Sequence, residues 1–560
     1  MDEQTGPEAL MEYLNRHRVA ARAATILAAI TLFAPVSAAT AANANWSGAS
    51  TNDTWSSPGN WRANAAPSGS VGVLALPPAS ARCGGWSCSF GVDDIPSLSV
   101  GTLSIDSSNN YLVTPLDSGD AIELVKGLSF TTRATPASNR LLTKMVVPLT
   151  LGAAQNWTVA GVSGNPTELA LGAVTGESYP LTVHMSGGVT LQAADLDTGP
   201  LRLTGGGDVV LAAQMAEPAD DVPAYPPPLI SARGITLARG ASLDLSSPDV
   251  VSGAISVAPG SYSTLQIGHG VAPDGTATVD GDVTLRANST LQLWIDQADP
   301  TGKPQPSTDA SQLTVSGTLD LAGAGLALSQ GFTDTQVDCA SLSDGQVYTL
   351  VSATRLVGTF AGIANHQVVD LGVCDPLRTT PAHAVLISYN TRARPQTITA
   401  TVVGPAQIKA LVADTLPVTA ATLGSVLGTH GYTTSFSAPT AGRLSLSWTA
   451  VSGGRRITVA RGSNVAGRIG LRSVPLKLTA AGERLLYRDD HPPAPKPKRV
   501  KVKSKGRHKG KGKGKSKPKY KLIPQPPPPP KPVQITATVT FAPSGQKLVR
   551  LSRRFTLRAQ

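Results

Sequence analysis

Three groups of residues in this 560-residue chain have types and spacings that could do chemistry. The first is acidic. Glycan cleavage needs two carboxylates facing one another across a bond, roughly 5 to 10 Å apart. The candidate pairs are Asp93 with Asp94 and Asp220 with Asp221. Neighbours in an extended strand point to opposite faces, so Asp93 and Asp94 cannot share a substrate if that segment is a strand. Asp220 and Asp221 stand among the prolines of Glu217–Pro228, a poor rigid platform. The chain has no Gly-x-Ser-x-Gly elbow, no His-Glu-x-x-His and no phosphate-cradling glycine loop at a strand-to-helix turn. The residues therefore point to no catalytic set, no cofactor and no metal.

The second group is the four cysteines, Cys83, Cys88, Cys339 and Cys374. Three pairings are open to them. The local solution joins Cys83 to Cys88 and Cys339 to Cys374. A zinc site would need a second half to match Cys-x4-Cys, which is absent, and His is sparse.

The third group is a basic tract. Residues 496–531 hold 15 Lys and Arg and no Asp or Glu, which leaves −4 of the chain's net +11 for everything else. On this count the chain is a mildly acidic body with one basic segment. The contact candidates are Lys501, Lys503, Lys505, Arg507, Lys509, Lys511, Lys513, Lys515, Lys517 and Lys519. Such a run binds anionic polymer through counterion release, or else serves only as a solvated spacer. Reading of nucleic-acid bases would need interleaved aromatics, and Tyr520 stands alone. With almost nothing apolar to bury, residues 491–532 read as a disordered Lys/Gly/Pro-rich insertion.

Elements that could position these groups follow from the remaining pattern. Charged residues are 15% and aromatics 4%, while Gly (55) and Pro (44) are plentiful, a mix that suits an all-β chain with many turns. One phrase recurs: Gly188-Val189-Thr190-Leu191, Gly234-Ile235-Thr236-Leu237, Gly281-Asp282-Val283-Thr284-Leu285 and Gly317-Thr318-Leu319. Alternating tails follow at Leu243-Asp244-Leu245, Leu291-Gln292-Leu293 and Leu326-Ala327-Leu328. Short period-2 strands broken by glycine predict a right-handed parallel β-helix, in which each rung feeds alternate side chains into a shared core.

The N-terminus reads as an export signal over residues 1–44. Arg16, Arg18 and Arg22 precede the apolar run Ala23 to Ala34, and small-x-small sites follow. At about 12 residues the run is short of the roughly 20 that span a bilayer. No second run of membrane length occurs, so the mature chain is expected to lack a transmembrane helix. Export would also suit disulfides.

Trp46-x-Gly48, Trp55, Asn60-Trp61 and Pro67 resemble the N-terminal cap of secreted, autotransporter-like β-helix proteins. The residues from 290 to 392, with Gly345, Tyr348, Gly358, Phe360 and Tyr389, resemble the end of an autotransporter passenger. The resemblance implies a β-helix over 45–392. It lacks that family's membrane barrel: only about 170 residues follow Tyr389, and they contain the basic tract. Ala441–Trp448, Leu478–Leu486, Ala537–Pro543 and Phe555–Arg558 resemble an Ig-like module of exported actinobacterial proteins, implying a β-sandwich over 396–490 and 533–560. A short helix is expected over Ala406 to Leu416, with Ile408, Leu411, Val412 and Leu416 on one face.

Together these readings predict a secreted, non-catalytic surface or matrix protein, an adhesin-like stalk whose basic loop meets anionic envelope polymers or acidic polysaccharide. A carbohydrate-active β-helix enzyme and an extracellular polyanion-binding module are the alternatives.

Overall fold

The computed structural model describes residues 42–558 except 51, 79–88, 108–110, 118, 133–140, 163–166, 177, 212–228, 246–249, 269–275, 296–309, 331–341, 372–382, 418–421, 502–519 and 527. Residues 1–41 of the export signal, the four cysteines, Asp220 with Asp221, the loop around them, and nine of the ten contact candidates, Lys503 to Lys519, lie outside the described residues, while Ala44, where the signal was expected to end, opens the rod's first strand.

The chain from Ala44 to Val357 winds as a parallel β-helix. Three columns of aliphatic side chains record the winding. In one, Leu98, Ile122, Leu149, Val174, Leu196, Ile230, Val251, Val279, Val315 and Ala353 are register partners from rung to rung. In the second, Leu181, Leu201, Ile235, Ile255, Val283, Leu319 and Leu356 stack. In the third, Leu169, Leu191, Val209, Leu243, Leu265, Leu291 and Leu326 stack. All but the half-buried Leu326 are buried, so each rung closes the core of the next. The tails Leu243–Leu245, Leu291–Leu293 and Leu326–Leu328 fall in one column, as a repeat should. The Gly-x-Thr-Leu phrase does not: Leu191 lies in the third column, Leu237 and Leu319 in the second. At Gly188, Gly234 and Gly281 the phrase marks a strand entering the core from a turn, while Gly317 lies inside the Gln312–Asp320 strand at a shift of register, so any face of the rod can use it.

Turns between columns bring backbones into contact. Gly205 has φ +102°, and a Cβ there would lie 2.0 Å from the Met185 carbonyl oxygen. Both the left-handed backbone and the missing side chain are required. Gly205→Ala is expected to destabilise the rod by about 2 kcal/mol or more, read as a lower denaturant midpoint.

The rod ends by turning antiparallel. Gln396–Val402 pairs with Val347–Val357 on one side and with Ala384–Asn390 on the other, and Gln367–Asp370 completes the cap. The rod thus runs past residue 392, and residues 396–402, expected to begin the sandwich, belong to it instead. Tyr389 sits where the passenger-like motif put a closing tyrosine. Its hydroxyl donates to the Ile363 carbonyl (3.1 Å) and accepts from the Phe360 amide (3.2 Å).

The C-terminal module departs from the expected sandwich. Its strands form one six-stranded antiparallel sheet, ordered 431–438, 470–478, 455–466, 442–452, 533–543 and 549–557. Three helices accompany it: α1 (Pro405–Asp414), α2 (Leu423–Gly428) and α3 (Ala480–Asp490). Helix α1 matches the expectation, burying Ile408, Leu411 and Val412. Helix α3 occupies most of the segment, Leu478–Leu486, whose Ig-like resemblance implied a β-sandwich. The reason is local. Thr479 caps the helix by accepting from the Gly482 amide, Glu483 stands in the first turn and Arg488 in the last. Leu485 and Leu486 then face the core. That core, built on Trp448, Phe436, Phe541 and Phe555, uses helices where a sandwich would use a second sheet.

Candidate polyanion-contact surface

The insertion between α3 and the Val533–Pro543 strand is not without structure at its ends. Lys498–Lys501 pairs antiparallel with Tyr520–Ile523 in a two-stranded ribbon, register Lys498 to Ile523 and Lys501 to Tyr520. Val500, Tyr520, Leu522 and Ile523 are strand-favouring residues, which explains why pairing begins here in a Lys-rich run. Every residue of the ribbon is exposed. The expected disorder over 491–532 is therefore corrected at these eight residues. At the base, the Lys531 amide donates to the Asp489 carbonyl (2.9 Å), so the ends of the insertion meet. Lys501 is the described contact candidate; it lies on the ribbon with Lys498, Arg499 and Lys521 beside it.

The charge around the ribbon is more lopsided than the tract alone suggests. Residues 405–560 carry 30 Lys and Arg against four Asp and Glu; residues 43–404 carry 15 against 29. The reading of everything outside the tract as mildly acidic averages two opposite halves. Three of the module's four carboxylates already have cationic or histidine neighbours: Glu483 with His430 (3.3 Å), Asp489 with Arg488 (3.3 Å) and Asp490 with His491 (3.5 Å). Glu483, Asp490 and both histidines line an open groove of about 610 Å³ between α2 and α3, with Tyr487 stacked on His491. The field over this end of the molecule is positive, which attracts polyanions from a distance and weakens with salt.

The acidic candidates separate as the strand geometry requires. Asp94 accepts hydrogen bonds from the Ser56 amide and hydroxyl. Asp93 turns into the rod, fully buried, with its Oδ1 accepting from the Ile95 amide (3.1 Å). Burial pushes its carboxyl up to about 7, with the negative charges of Asp120 and Asp94 adding to the effect. Asp120, from the following rung, is the partner that sequence reading missed. It too is buried, accepting from the Asp117 amide (2.8 Å). Both carboxyls of this pair are buried. Among the described residues no group of three His, Cys, Asp or Glu is placed to hold a metal, and no helix is long and apolar enough to cross a membrane.

The aromatic N-terminal residues gather as the cap motif anticipates. Trp46, Trp55 and Trp61 are buried together with ring centroids 5.1, 5.9 and 6.5 Å apart. Trp61 Nε1 donates to the Trp55 carbonyl (2.7 Å), and Asn60 donates to the Thr54 carbonyl (2.9 Å) while accepting from the Ser50 amide (2.9 Å). A sugar-stacking platform would leave these rings open to solvent; they are core. Comparison with protein-family models, curated proteins and solved structures finds no match to this chain.

Proposed function

We propose that the chain is an exported, non-catalytic surface or matrix protein, in which an acidic β-helical stalk is held to anionic polymer by its basic C-terminal module. The observation that carries this reading is the segregation of charge: 30 cations against four anions in residues 405–560, with a lysine ribbon projecting from them. The basic and apolar run at the N-terminus supports export, and a rod of stacked rungs suits a spacer that displays its loops.

Replacing the 15 Lys and Arg of residues 496–531 with Gln tests the reading in the full chain. Binding to immobilised polygalacturonate is expected to fall by about a hundredfold at 0.1 M salt, and the salt dependence of what remains to become shallower, because fewer counterions are released. The fold should persist, since the insertion's ends are already joined through Lys531 and Asp489. Binding equal to that of the intact chain would make the tract a spacer.

A further inference from the structure

We propose that the open face of the C-terminal sheet is a docking platform for an acidic polysaccharide, gripped by Arg461, Lys477, Arg550 and Arg554 across a floor of hydroxyls. The proposal rests on the reading of this module as a polyanion contact, and moves the ordered part of that contact from the tract to the sheet.

Strand alternation defines the face. Leu444, Leu446 and Trp448 point into the core opposite Phe541, Val539 and Ala537. The residues between them point the other way. Across the strands, Lys477 pairs with Arg461, Arg461 with Ser447, Ser447 with Thr538, and Thr538 with Ser552. The rows on either side run Ser463, Ser445, Thr540, Arg550 and Thr449, Thr536, Arg554. The hydroxyls of Thr538 and Ser552 meet at 2.9 Å, and Gln534 donates to Thr556 at 2.8 Å, both at exposed positions, so none of the described helices lies over them. All four cations are exposed. Among the described residues none of them forms an ion pair with a carboxylate.

The face is broad. Three strand spacings separate Arg461 from Ser552, roughly 14 Å, and four residues separate Arg550 from Arg554, roughly 13 Å. That geometry suits an extended chain better than a small anion. Guanidinium forks pair carboxylates in two parallel hydrogen bonds, while Ser and Thr both donate and accept, as sugar hydroxyls require. The floor has no aromatic ring on which a nucleic-acid base could stack. A second copy's rod is a poorer match, because its carboxylates are partly engaged at home: Asp282 accepts from the Thr318 amide (2.6 Å) and Asp280 from the Ser316 hydroxyl (2.9 Å).

The test compares the intact full-length chain with Arg461→Ser/Arg550→Ser/Arg554→Ser and, separately, with Lys498→Ser/Arg499→Ser/Lys501→Ser. Oligogalacturonate and inorganic polyphosphate are the probes. The face variant is expected to lose about tenfold or more in oligogalacturonate affinity, with a smaller loss for polyphosphate, since charged hydrogen bonds are worth more than diffuse attraction. The ribbon variant should lose less glycan binding than the face variant. On the intact chain, the glycan should also protect Arg461, Arg550 and Arg554 from phenylglyoxal, a readout that needs no variant to fold. Three results overturn the inference while leaving the polyanion reading in place: loss only in the ribbon variant, equal losses for both probes, or no protection of these arginines. Self-association of the intact chain that the face variant abolishes, without glycan binding, would overturn it in favour of a second copy. Failure of the intact chain to bind either probe at low salt would overturn both readings.

Discussion

Replacing Trp55 with alanine is expected to destabilise the start of the rod by about 3–5 kcal/mol, the range for deleting a large aromatic from a packed core. Trp55 is wholly buried, lies against Trp46 and Trp61, and its carbonyl accepts the Trp61 indole. Its amide is bonded to the Val92 carbonyl (2.9 Å), so the same residue ties the cap to the rung behind it. In a stack whose rungs touch only their neighbours, such a loss stays local before it spreads. The expected signature is early proteolysis and fast amide exchange over residues 43–76, with the exchange of the Leu265 and Leu291 amides unchanged. Uniform loss of protection along the rod would mean that the cap and the rungs unfold as one unit, and an unchanged cap would mean that the three rings are dispensable packing.

The rod was legible in the sequence because its physics is periodic. A Leu-x-Leu tail such as Leu291–Leu293 commits two side chains to the core, and glycine at φ > 0 commits the chain to turn, as at Gly205. Which face each phrase occupies was not legible, since all three columns ask for the same aliphatic residues. The cap was readable because tryptophan is rare in this chain and clusters at its start. The C-terminal module was harder. Val474–Leu478 and Leu485–Tyr487 both offer short apolar runs, and the switch from strand to helix turns on the Thr479 cap. The basic tract drew attention to itself by composition, while Arg461, Arg550 and Arg554 are scattered in sequence and share a face only through strand register. Asp120 was invisible for the same reason: it lies far along the chain from Asp93 but faces it from the next rung.

Asp93 should make the stability of the rod's first rungs depend on pH in an unusual direction. Its folded carboxyl titrates at about 7, well above its ordinary value of 3.8, because burial removes solvent from the charge and Asp120 and Asp94 repel it. Below about 3.8 both folded and unfolded forms hold the proton, and the group costs nothing. Between about 3.8 and 7 the unfolded chain ionises while the folded one does not, so stability falls as pH rises, at about 1.4 kcal/mol per unit. Above about 7 both are ionised and the penalty is constant, up to about 4 kcal/mol. This is the reverse of an ion-paired aspartate, whose contribution is lost on acidification. Asp93 Oδ2 has no hydrogen-bond partner among the described residues, so the Ile95 amide on Oδ1 relieves only part of the charge once it forms. The ladder places Trp55 opposite Asp93, since Thr54 is bridged to Val92, and the penalty therefore falls on the cap. The measurement is amide exchange at Trp55 and Val92 at pH 5 and pH 8, corrected for intrinsic exchange, in the intact chain and in Asp93→Asn. The intact chain is expected to lose about 2–3 kcal/mol of local stability over that interval, and Asp93→Asn to lose little, because a neutral amide does not titrate. Parallel profiles in the two proteins would show that Asp93 does not control the cap, and a cap that gains stability from pH 5 to pH 8 only when Asp93 is present would reverse the sign of the argument.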